Sequence, residues 1–111
     1  MRTFEPFADA EIERRLEKAF RTFKEYRRMP LAERAARMLR AAEILEREKD
    51  RFGRLMTAEM GKLVKSARDE AAKCAWACRY YAENAERLLA DERVETNASL
   101  SFIRYEPLGP V

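Results

Sequence analysis

Histidine is absent from this sequence, and glycine, proline and cysteine are scarce, at three, four and two residues in 111. Each shortage excludes something. A nucleophilic cysteine needs a base to take its proton, usually an imidazole, and none is available. The two cysteines, Cys74 and Cys78, fall short of the four ligands of a structural zinc site. Four residues apart on a helix, they share one face about a turn apart, with Cβ vectors side by side, a poor arrangement for a disulfide. Reduced thiols in a cytoplasmic setting are the simpler expectation, with both cysteines serving as small hydrophobes in an apolar stripe. Neither glycine-rich phosphate loop, GxGxxG or GxxxxGKS/T, is present. No apolar run follows a basic start as in a signal peptide, and no 18-residue apolar stretch exists, so a membrane span is not expected.

What remains is charged and helix-forming. The chain is 47% hydrophobic and 39% charged; so few turn residues among so much Ala, Glu, Arg, Lys and Leu indicate long helices with solvated outer faces. The length allows one small domain. The net charge of +3 is uneven: residues 1–54 hold 15 basic and 11 acidic residues, residues 55–111 hold 8 and 9. Arg14, Arg15, Lys18, Arg21, Arg27 and Arg28 would suit phosphates by charge. No nucleic-acid-binding motif accompanies them, so a solvated helix face is the better reading.

The periodicity predicts a mainly α fold. Pro6 discourages an early helix, and Asp9 is a candidate N-cap. Ile12, Leu16, Ala19, Phe20 and Phe23 make an apolar stripe over roughly 9–28. Pro30 ends that helix and can open the next at its first position. There Leu31, Ala35, Met38, Leu39, Ala42 and Leu45 share a face. Asp50 is a candidate cap for a shorter third helix with Phe52, Leu55, Met56 and Met60 inward. Gly53 weakens it and Gly61 stops it. A fourth helix near 63–90 carries Val64, Ala67, Ala71, Cys74, Cys78, Ala82, Ala85 and Leu89. At about 40 Å it is long for this chain. Residues 94–96 and 100–105 then read as short strands around an Asn97-Ala98-Ser99 corner. The expected organisation is three to four helices over 1–90, followed by a short hairpin over 91–111.

PLAERAARMLRAAEIL at 30–45, LMTAEMGK at 55–62, KCAWACRYYAENAE at 73–86 and RYEPLGPV at 104–111 together resemble the NAD(P)-dependent aldehyde dehydrogenases, especially the succinate-semialdehyde type. The resemblance runs from about Phe4 to Val111. It implies a helical amino-terminal segment that packs on a cofactor domain, and a hairpin that joins an oligomerisation sheet. It also implies that a Pro-Trp-Asn motif, the cofactor-binding residues, the general-base glutamate and the nucleophilic cysteine all lie beyond Val111. Glu59 resembles a position contributing to a monovalent-cation site in some relatives, and Asp69 and Lys73 resemble positions near a substrate entrance. Ordinary surface charge is the favoured reading of all three.

The sequence therefore predicts no catalytic, cofactor-binding or metal-binding residues within the chain, and no cofactor held by it. NAD or NADP belongs to the implied parent enzyme. The expected partners are further copies of the chain, as a dimer or higher oligomer, and the rest of the parent. The alternative is a stand-alone helical interaction module.

Overall fold

The computed structural model describes residues 3–111. Four helices follow one another: α1 (Asp9–Tyr26), α2 (Leu31–Arg47), α3 (Lys49–Met60) and α4 (Val64–Leu88). A two-stranded antiparallel sheet closes the order, β1 (Glu92–Arg93) against β2 (Phe102–Ile103). The mainly helical architecture with a small hairpin is the one the periodicity predicts.

The chain divides into two compact units, residues 1–29 with 105–111, and residues 30–104. The larger unit is built around α4, which packs against both α2 and α3. Its interior is made of small residues: Ala42 from α2, Gly53 from α3, and Ala67, Ala71 and Ala75 from α4. Small side chains let helix backbones approach closely. Gly53 shows how closely, since a Cβ placed there would meet Arg68 Cγ at 2.7 Å and its backbone nitrogen at 3.1 Å. The glycine that weakens α3 by propensity is what admits α4. Arg68–Asp50 and Arg79–Glu46 ion pairs tie α4 to its neighbours at the rim.

In the smaller unit, α1 buries no residue completely. The carboxy-terminal tail lies along it, with Phe23 in van der Waals reach of Gly109 and Arg27 Nη2 bonded to Glu106 at 3.0 Å. Gly109 has φ +119°, a backbone angle that L side chains rarely adopt. Arg15 covers the Phe7 ring at 4.1 Å.

Several boundaries differ from expectation. Ala8 precedes α1 and Asp9 is its first helical residue, where its charge still favours the positive helix end. Pro30 is the N-cap of α2 rather than its first helical residue. Glu48, rather than Asp50, joins α2 to α3, and Asp50 sits in the first turn. Gly61 ends α3 in the left-handed region at φ +69°, as predicted. The inward faces of α3 and α4 also differ in part. Ala67 and Ala71 are buried as expected, but Leu55 (51% exposed), Met60 (70%) and Cys74 face water, while Gly53 and Ala75 take buried positions. The first strand lies at 92–93, ahead of the expected 94–96, and the second keeps only 102–103 of the expected 100–105. An isolated two-stranded ribbon has no third strand to hold it, and past Val94 N–H to Ser101 C=O (2.9 Å) the ladder gives way to side-chain bonds. Thr96 and Ser101 hydroxyls meet at 2.7 Å, and Thr96 Oγ1 accepts from Ala98 N–H.

Candidate functional surfaces

Each polar residue singled out from the sequence stands in solvent. Glu59 lies on the last turn of α3, exposed. Among the described residues no group of three or more His, Cys, Asp or Glu side chains is placed to hold a metal ion. Asp69 is bonded to Lys65 at 3.1 Å. Lys73 lines an open groove on α4 together with Lys62, Ser66, Asp69, Glu70 and Cys74. Lys62 reaches across this groove to Glu70. The structure thus brings Asp69, Lys73 and Cys74 together, and keeps Glu59 out of their groove.

The basic stretch is largely neutralised by local partners. Glu11 accepts from both Arg14 and Arg15, the latter at 2.6 Å. Arg21 faces Glu17 at 4.0 Å and Arg27 faces Glu106 at 3.0 Å. The two guanidinium groups beside Glu11 hold its carboxyl below the usual carboxylate range. Glu48, at the α2–α3 junction, is held low in the same way by Arg47 and Arg51. Asp91 is held low by Arg104, which donates from Nε at 3.2 Å and from Nη2 at 2.7 Å across the base of the hairpin. This last pair is barely legible in the sequence, because its partners are 13 residues apart and meet only through the strand register.

The larger feature is apolar. On α1, Ile12, Leu16 and Phe20 are 43%, 57% and 56% exposed. On α4, Trp76 stacks on Tyr80 at 5.9 Å and Tyr80 meets Tyr81 edge-on at 5.3 Å, with all three rings open to water. The hairpin exposes Val94, Leu100, Phe102 and Ile103. Single exposed apolar side chains are ordinary, but contiguous ones mark surfaces that pack on something.

The fit of a dinucleotide can be judged from the backbone. A pyrophosphate site needs a glycine-rich turn leading from a strand into a helix N-terminus. Here Gly53 is buried in mid-helix, Gly61 ends a helix, and Gly109 lies in the tail. None of the three glycines stands in such a turn.

The Aldehyde dehydrogenase family profile matches residues 2–111. The chain belongs to this family. A probable NADP(+) succinate-semialdehyde dehydrogenase of Synechocystis is 45% identical over 111 residues, covering 100% of this chain and 24% of that protein. An NADP(+) succinate-semialdehyde dehydrogenase of Mycobacterium avium is 45% identical over 115 aligned residues, with the same two coverages. The crystal structure of the succinic semialdehyde dehydrogenase of Streptococcus pyogenes, in complex with NADP+, superposes with a TM-score of 0.86. It is 33% identical and covers 92% of this chain and 23% of its own. The chain spans about a quarter of the length of these dehydrogenases. No helix among the described residues is long and apolar enough to cross a membrane.

Proposed function

We propose that this chain is the amino-terminal scaffold of an NADP-dependent succinate-semialdehyde dehydrogenase, contributing packing surface and subunit contacts and no catalytic group. The carrying observation is the apolar face of α1, where Phe23 meets the tail but Ile12, Leu16 and Phe20 stay exposed. That face needs a partner, and the share of relatives left unmatched is large enough to supply one. The parent enzyme would oxidise succinate semialdehyde to succinate and pass hydride to NADP. The nucleophile, the general base and the cofactor site for that reaction would come from outside these residues.

Self-association belongs to the same reading. Exposed apolar stripes favour association, and so does the open edge of a two-stranded hairpin. The chain alone should form a dimer or a higher oligomer. The first test is an assay of the pure 111-residue chain with succinate semialdehyde and either NADP+ or NAD+, followed by nicotinamide absorbance. No turnover is expected, and clear turnover by the pure chain refutes the scaffold role.

A second reading, a stand-alone helical interaction module, is favoured by one observation: α2, α3 and α4 share an interior of their own. A specific protein partner captured by a monodisperse, stable chain would support it over the first.

A further inference from the structure

Cys74 and Cys78 stand one turn apart on α4 and both are free thiols. Cys74 is exposed and Cys78 half-buried, so Cys74 opens fully to water and Cys78 in part. Side chains at this spacing have Cβ atoms about 5–6 Å apart, wider than the roughly 3.5–4.5 Å over which a disulfide closes. The helix therefore keeps the pair as a dithiol. The same gap suits an atom inserted between the two sulfurs.

The surroundings choose among inserted atoms. Thiolate pairs are soft ligands and select monovalent copper over hard cations. The carboxylate one turn before Cys74, Glu70, is already taken by Lys62, and no imidazole exists in the sequence. In the groove that Cys74 borders, Lys62 and Lys73 are matched in charge by Asp69 and Glu70, so the single net negative charge of a copper(I) bis-thiolate is left to solvent. We propose that Cys74 and Cys78 form a two-coordinate site for a thiophilic monovalent cation, copper(I) in kind. On binding, two S–H bonds break, two metal–sulfur bonds form, and two protons pass to water. No oxidation state changes.

The test is an anaerobic titration of the 111-residue chain with copper(I) against a competing chelator, with stoichiometry read by native mass spectrometry. One ion per chain is expected, with proton release that weakens binding as pH falls. Removing one thiol ends chelation, so Cys74→Ser and Cys78→Ser should each lose about a hundredfold or more in affinity. Unchanged affinity in either variant overturns the proposal, as does one ion shared between two chains. Circular dichroism of the variants separates lost binding from lost helix. On the unmodified chain, phenylarsine oxide, which joins two thiols with loss of water, should raise the Tm at one equivalent. No rise at saturating arsenical means that the thiols do not act together, and the site is disproved without any variant.

Discussion

Helices α1 and α4 are both amphipathic and differ in what their stripes are made of. The α1 stripe is large, with Ile12, Leu16 and Phe20, and it is exposed. The α4 stripe is small, with Ala67, Ala71 and Ala75, and it is buried against α2 and α3. Hydrophobic area alone would rank them the other way. Close approach between helices needs small residues at the crossing, and only the unit of residues 30–104 has them on facing elements. On the proposed scaffold reading, the large apolar side chains of α1 await a partner. The contrast separates a region that carries its own seam from one whose apolar stripe stays exposed.

Enlarging the seam should break the first half of that contrast. Ala71→Leu inserts three carbons where the side chain is 2% exposed, and overpacking of this kind costs about 1–3 kcal/mol. Urea unfolding followed by circular dichroism should show a matching drop in midpoint. Gly53→Ala should come next. Helix propensity favours alanine by about 1 kcal/mol, but the new Cβ meets Arg68 Cγ and its backbone nitrogen, so net destabilisation of about 1 kcal/mol is expected. In an Arg68→Ala background the Cγ contact is gone, and the same substitution should cost less. A cycle with no coupling would remove the close crossing as its explanation.

The other half predicts small effects on folding. Leu16→Ala and Phe20→Ala should change unfolding free energy by no more than about 0.5 kcal/mol, while Leu16→Glu should lower the associated mass in solution. Amide exchange should be fast along α1 and slow along the middle of α4. The smallest effect concerns the hairpin. Because Arg104 lowers the Asp91 pKa in the folded chain, the pair contributes above the unfolded carboxylate pKa and is lost as pH falls through the lowered value. The pair is solvent-exposed, so the contribution is slight and weakens with salt. Arg104→Ala should return the Asp91 carboxyl toward its ordinary pKa by NMR titration, leaving α4 unchanged.

Much of this architecture was legible beforehand, and the reasons are local. Pro30 and Gly61 end helices by backbone restriction, which depends on no neighbour. The four apolar periods mark four helices for the same reason. The inward face was legible only in part for α3 and α4. Hydrophobic spacing placed Ala67 and Ala71 inward correctly, but it also placed Leu55, Met60 and Cys74 there, where tertiary packing chose Gly53 and Ala75, because backbone approach rather than side-chain hydrophobicity set the crossing. The first strand was misplaced at Val94–Thr96, where the chain has already left the ladder that Glu92 and Arg93 form, because the pattern reports propensity and not pairing. Of the polar residues, the resemblance placed Asp69 and Lys73 on one helix, whereas their grouping with Cys74 and Lys62 needed the fold.

The measurement that bears most directly on the account is light scattering of the purified chain during size exclusion, over a wide concentration range. An unsatisfied α1 face predicts a mass of at least twice 13.1 kDa, with Leu16→Glu shifting it toward one chain. A compact species of 13.1 kDa at the highest concentration would contradict it.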